Sequence, residues 1–324
     1  MHYELILNNM KKIKIGHSDL EIAPINLGGN VFGWTLDEKQ SFEILDAFVG
    51  EGFNFIDTAD MYSYWVDGGN GGQSETIIGN WLQARKNRDQ VVIATKVGGE
   101  TGVHPRNTTK AHILATVEES LKRLKSDYID LYYTHYDDEV TPVEETLEAY
   151  DELVKAGKVR YIAASNISPE RLIESLEVSE KNGFPKYQAL QPFYNLVERD
   201  GYESQYAELA KKYNLTVFPY WSLASGFLSG KYRSEADFGK SVRGSGAAKY
   251  MNDKGFAVLA ALDKISAKHN TAQTTVALAW LLAQPQVGAP IVSATSISQL
   301  ESLLAAPSLL LDQEDLALLN EASK

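Results

Sequence analysis

From about residue 24 to the end, short apolar runs alternate with segments whose apolar residues recur at helical spacing. The runs are PINLG (24–28), FNFID (53–57), VVIAT (91–95), YIDLYYTH (128–135), VRYIAAS (159–165), YQALQ (187–191), LTVFPY (215–220) and GAPIVSA (288–294). Between them, Leu114, Val117, Leu121 and Leu124 repeat with a helical period, as do Leu147, Tyr150, Leu153 and Val154. Start signals agree with this division. Asp37 with Gln40 reads as a capping box, and so does Thr141 with Glu144, Pro142 taking the first helical position. Ser168 followed by Pro169 opens another helix, and Gly157 closes one.

Eight strands alternating with helices predict right-handed βαβ units and a closed α/β barrel, the (β/α)8 TIM barrel. A doubly wound open sheet is the competing architecture. The stretch after the first strand, LGGNVFGW, lacks the GxGxxG spacing that such a sheet uses for a pyrophosphate turn. KIKIGHSDLEI, before the barrel, alternates around a turn and predicts a β-hairpin closing the bottom. Residues 1–9 read as an N-terminal extension, and residues 10–324 as a single domain. Three stretches exceed ordinary loop length: 59–72, 97–108 and roughly 221–250. Each follows a strand, so each belongs on the C-terminal rim, where barrels of this kind carry function.

Composition narrows the function classes. The chain has 324 residues, 44% of them apolar, enough for a sizeable core. It has no cysteine, which excludes a disulfide framework, a thiolate metal site and a cysteine nucleophile, and fits a cytoplasmic protein. No metal site is expected. No apolar run approaches the roughly 18–20 residues that span a bilayer. A net charge of −12 argues against nucleic acid or an anionic membrane as a partner, so an anionic cofactor needs a local cluster of donors.

Four polar residues sit at or just beyond the downstream edges of apolar runs: Asp57, Tyr62, Lys96 and His135. On a barrel rim they would converge as a proton-donor apparatus. A tyrosine, with an ordinary pKa of about 10, is a poor acid until a nearby ammonium stabilises its phenolate. Lys96 can supply that charge, Asp57 can hold the lysine, and His135 can orient a carbonyl oxygen. Each residue has a plainer reading, as a turn cap, loop packing or a satisfied histidine. The joint occurrence, with five residues from Asp57 to Tyr62, favours carbonyl reduction.

These motifs resemble the aldo-keto reductase superfamily, of the bacterial NADP-dependent type. The resemblance runs through the glycine-rich loop at Gly28–Gly33, DTADMY at 57–62, SETIIGNWL at 74–82, TK at 95–96 and YIDLYYTH. It continues through GKVRYIAASN at 157–166, QPFYN at 191–195 and YWSLASGFLSGKY at 220–232. It implies a reversible NAD(P)H-dependent reduction of aldehydes or ketones to alcohols, with Tyr62 as general acid, or base in the oxidative direction.

The resemblance also implies a cofactor site. Ser165, Asn166 and Gln191 match contacts to the nicotinamide carboxamide, and Tyr220 matches the aromatic stacked on its ring. Ser222, Leu223, Ser225, Gly226, Leu228 and Lys231 match the pyrophosphate loop. Relatives usually carry a lysine or arginine after the last strand to hold the 2′-phosphate. This chain offers Thr295, Ser296 and Gln299 there, with Arg243 in the long 221–250 loop as a charge that reaches over. NADPH is the expected cofactor, with NADH as the alternative.

Substrate contacts are expected from the rim aromatics Phe32, Trp34, Tyr64, Trp65 and Tyr136, for a small-molecule carbonyl or alcohol. Family habit allows a monomer or a homo-oligomer. Two other classes compete. A barrel glycosidase needs two carboxylates across the mouth, and Asp57 already has Lys96 as its natural mate. A cofactor-binding regulatory or sensor protein on the same fold would show little turnover.

Overall fold

The structure, a computed structural model, describes residues 11–66, 68–101 and 104–324, so the expected extension at 1–9 lies outside the described residues. All eight expected barrel strands form. They are β3 (Asn26–Gly28), β4 (Phe55–Asp57), β5 (Val92–Val97), β6 (Ile129–Thr134), β7 (Val159–Ser165), β8 (Tyr187–Gln191), β9 (Thr216–Val217) and β10 (Ile291–Val292). They pair in parallel in the order β10-β3-β4-β5-β6-β7-β8-β9. Helices flank the sheet, among them Glu38–Gly50, Gln73–Arg85, Lys110–Leu124, Val143–Lys155 and Pro169–Asn182. This is the (β/α)8 TIM-barrel architecture.

β9 and β10 hold two residues each, shorter than the apolar runs at 215–220 and 288–294. Pro219 and Pro290 explain this, because a proline has no N–H to give to a ladder. The seam between β9 and β10 is closed by flanking bonds instead. Gly288 N–H donates to Val217 O at 2.9 Å, and Ile291 N–H donates to Pro219 O at 2.9 Å.

Two apolar clusters follow from the two faces of each strand. Tyr132 of β6 faces the helices, while its neighbours Leu131 and Tyr133 face the barrel interior. The interior cluster continues through Phe55, Ala94, Ala163, Ala189 and Phe218. It also contains Ile15, Leu20 and Ile22 from the hairpin that joins β1 (Ile13–Lys14) to β2 (Glu21–Ile22), so the hairpin plugs the bottom as expected.

Capping is legible in part. Asp37 and Gln40 form the reciprocal capping box, and Ser168 Oγ accepts from Arg171 N–H. The box expected at Thr141 and Glu144 does not form, because Asp138 captures the threonine: Thr141 Oγ1 donates to Asp138 Oδ2 at 2.6 Å and its N–H to Asp138 Oδ1 at 2.8 Å. That helix starts at Val143 behind Pro142, with no side-chain cap. Gly79 marks a close helix crossing, since a β-carbon there would stand 2.0 Å from the carbonyl oxygen of Arg123.

Candidate active site

The period of two along a strand carries the interior face up to the rim. Phe55, Ala94 and Tyr133 point inward, and two residues further on stand Asp57, Lys96 and His135. Ala163, Ala189 and Phe218 likewise precede Ser165, Gln191 and Tyr220 by two. One structural rule thus delivers six of the expected site residues to the same end of the barrel.

Lys96 and Asp57 are fully buried and form an ion pair. The Lys96 ammonium also donates to Thr58 O at 2.7 Å and to Tyr62 Oη at 2.9 Å, so all three of its donors are used. Gln191 Nε2 donates to the other carboxylate oxygen, Asp57 Oδ2, at 2.9 Å. The Tyr62 and His135 rings meet edge to face with centroids 6.0 Å apart. His135 is held through its backbone: its N–H donates to Val97 O at 2.8 Å, and its carbonyl accepts from Asn166 Nδ2 at 2.8 Å. Its Nδ1 is buried without a hydrogen-bond partner among the described residues.

Burial dominates the electrostatics. It pushes the Tyr62 phenol well above its usual value, and the Asp57 charge pushes the same way. The expected lowering of the phenol by Lys96 is therefore not the net ground-state result. Tyr62 stays protonated across the neutral range. Burial also lowers Lys96, against the opposing pull of Asp57. His135 falls well below the usual histidine value through burial and then the Lys96 charge, so its imidazole is neutral.

Along the neighbouring rim, Ser165 Oγ donates to Gln191 O at 2.9 Å and accepts from Asn166 Nδ2 at 3.0 Å. Tyr220 Oη donates to Asn166 Oδ1 at 2.9 Å, and its ring stacks on Phe193 at 5.7 Å between centroids. Beyond it Ser222 Oγ donates to Pro219 O, and Leu223 O accepts from the N–H of both Gly226 and Leu228. Ser225 and Gly226 adopt left-handed φ values of 58° and 86°. Lys231 lies over this turn, its Nζ 3.3 Å from where a Gly226 β-carbon would stand. Ser225 Oγ is buried and unpartnered among the described residues. Left-handed backbone, an unpartnered hydroxyl and an ammonium form a cradle suited to a diphosphate. At the last strand the three neutral residues satisfy one another. Thr295 N–H and Oγ1 both donate to Gln299 Oε1, and Ser296 Oγ accepts from Gln299 N–H.

Trp34, Trp65, Tyr64 and Tyr136 surround the mouth. Trp65 packs edge-on against Trp34 at 5.6 Å and Tyr64 at 5.4 Å, and lies 6.2 Å from Tyr62, while Tyr136 lies 4.8 Å from His135. Phe32 departs from expectation: it is fully enclosed in the outer core and supports the first loop instead of lining the mouth. Arg243 is found with its guanidinium 5.2 Å from the centre of the Trp34 ring.

Three participants were not singled out from sequence. Tyr133 forms the floor, its ring centre 5.8 Å from Lys96 Nζ. Thr58 contributes only a backbone carbonyl, which no side-chain motif signals. Asp60 donates its N–H to Lys96 O at 3.4 Å, and its carboxyl is pushed up to about 7 by burial and the neighbouring Glu75 charge.

The aldo/keto reductase family model matches residues 24–324. The chain is 34% identical to an uncharacterized oxidoreductase, YrpG, of Bacillus subtilis, over 96% of this chain and 95% of that protein. It is also 34% identical to the aldo-keto reductase YhdN of the same organism, over 94% of this chain and 91% of that one. A norsolorinic acid reductase of Aspergillus flavus is 28% identical over 96% of this chain and 80% of its own length. The chain belongs to the aldo/keto reductase family of oxidoreductases.

Proposed function

We propose that the protein reduces aldehydes or ketones to alcohols with NADPH, that residues 10–324 act as one domain, and that Tyr62 is the general acid. The observation that carries this reading is the fully buried Lys96 ammonium joining Asp57 to the Tyr62 hydroxyl. A structural ion pair alone has no need of a phenol at its open end.

The cradle at Ser225, Gly226 and Lys231 suits the dinucleotide diphosphate, the Tyr220 face suits the nicotinamide ring, and Ser165, Asn166 and Gln191 suit its carboxamide. The bound nicotinamide supplies hydride to the carbonyl carbon. The protein's own residues deal with the oxygen. As negative charge develops there, the neutral His135 donates a hydrogen bond and the Tyr62 hydroxyl gives up its proton. The resulting phenolate is stabilised by Lys96 at the moment it forms, and Asp57 keeps that lysine charged despite its burial. Thus the lysine's effect belongs to the transition state, while the ground-state phenol stays protonated. In the oxidative direction the same phenolate is the base. The Ser296 hydroxyl and the Gln299 amide nitrogen are neutral donors where a 2′-phosphate would lie, Thr295 being taken up by Gln299, and backbone N–H groups at the start of helix Ile297–Leu304 supplement them.

The test is binding of NADPH and NADH, each followed by fluorescence, then loss of reduced-nicotinamide absorbance with 4-nitrobenzaldehyde. Tighter NADPH binding with turnover supports the reading. Tighter NADH binding overturns the cofactor preference, binding without turnover favours a regulatory protein, and no binding of either removes the cofactor assignment.

A further inference from the structure

The chain has nine arginines, and seven of them form ion pairs with carboxylates. The two without a carboxylate partner among the described residues are Arg106 and Arg243, and both stand at the mouth of the active site. Arg106 lies 4.7 Å from the centre of the Tyr136 ring, next to His135. Arg243 lies 5.2 Å from the centre of the Trp34 ring, and its Nη2 is buried with no hydrogen-bond partner among the described residues. Its positive charge is felt at Tyr62.

Such a pattern is unusual in a chain of net charge −12, where carboxylates outnumber cations. A guanidinium has five donors and cannot discard its charge, so the largely buried Arg243 calls for an anion, whereas Arg106 is exposed and keeps its charge in water. Neither arginine receives one from the protein. Each instead lies over an aromatic ring at the mouth, with donors left for a carboxylate or phosphate. The two also approach from opposite directions. Arg106 sits in the loop after β5, on the side of Lys96 and His135, whereas Arg243 reaches in from the long loop after β9.

We propose that the carbonyl substrate of this site is itself an anion, a carbonyl compound bearing a carboxylate or phosphate group that Arg106 and Arg243 hold at the mouth. This rests on the carbonyl-reductase reading and specifies its substrate class. For Arg243 the same oxyanion chemistry has a second source, a phosphate of the dinucleotide. Arg106 lies on the strand side away from β9 and β10, so its anion is the substrate's.

The experiment compares 4-carboxybenzaldehyde with its neutral counterpart methyl 4-formylbenzoate, using the full chain and NADPH. The wild type should favour the acid through a lower KM, and the preference should weaken as salt is added. Arg106→Gln should lower the acid-to-ester ratio of kcat/KM about tenfold, acting on KM for the acid and not on its kcat. Arg243→Gln should lower the same ratio, with NADPH binding followed in parallel by fluorescence. A loss of NADPH affinity with an unchanged ratio would assign Arg243 to the dinucleotide and overturn its part in the proposal. A wild type that favours the ester, or a ratio that neither substitution moves, overturns the anionic substrate while ester turnover leaves the reductase intact. Failure to reduce either aldehyde with NADPH bound would remove both readings together.

Discussion

Gln191 and Asp57 lie 134 residues apart in sequence, and the Gln191 amide donates to the buried Asp57 carboxylate at 2.9 Å. Gln191 ends β8, among the residues matched to the nicotinamide carboxamide, whereas Asp57 ends β4 and holds the lysine of the proton relay. A single side chain therefore joins the two halves of the site. Its amide donor fixes Asp57, leaving its carbonyl oxygen for another partner.

Replacing Gln191 with leucine removes a buried hydrogen bond to a charged group, a loss of about 1.5–3 kcal/mol. The expected result is a fall in kcat/KM of about ten- to a hundredfold, together with weaker dinucleotide binding. Steady-state rates and fluorescence titration measure the two. A rate loss with no change in binding would place Gln191 on the relay side alone.

Lys96→Met leaves the Asp57 carboxylate buried without its cation. Breaking a buried pair in this way costs about 3–5 kcal/mol of stability. Asp57→Asn in the same chain removes the orphaned charge and should recover most of that loss in urea denaturation. Activity should stay low in both variants, since neither restores a cation beside Tyr62.

Asp60 gives a pH dependence whose sign can be worked out. Its pKa rises from 3.8 to about 7 in the folded protein, through burial and the Glu75 charge. Between these values the folded state keeps a proton that the unfolded state has lost, so this group's contribution to stability falls as pH rises from about 4 to 7. Asp60→Asn cannot ionise. Its melting temperature relative to wild type should therefore be higher at pH 8 than at pH 5, which parallel thermal melts at the two values would show.

Helix propensity alone says that Gly79→Ala should stabilise helix Gln73–Arg85. The added methyl would stand 2.0 Å from Arg123 O and 2.7 Å from the Leu124 carbonyl carbon. Forcing the two helices apart costs about 1–3 kcal/mol, and the expected outcome is net destabilisation in chemical denaturation.

Much of this was legible in the sequence. The eight strands and the hairpin announced themselves because each inward face is apolar and bounded by turn signals. Asp57, Lys96 and His135 stood out as polar residues ending such runs. The failures have both local and remote causes. Thr141 reads as a cap until Asp138 takes its hydroxyl, and Phe32 reads as a rim aromatic until the fold encloses it. Pro219 and Pro290 did appear within expected strands, and their missing donors shortened β9 and β10. Arg106 carries no local signal, and Arg243 was read only as a charge for the 2′-phosphate, since lacking a carboxylate partner is a property of the folded chain.

Tyr62→Phe tests the central claim most directly, because it removes one oxygen and leaves Lys96 its bonds to Asp57 and Thr58 O. Single-turnover reduction by the NADPH-loaded protein should slow by about a hundred- to ten-thousandfold, with NADPH affinity within about twofold of wild type. Reduction at close to the wild-type rate would contradict the account and take the proton donor away from Tyr62.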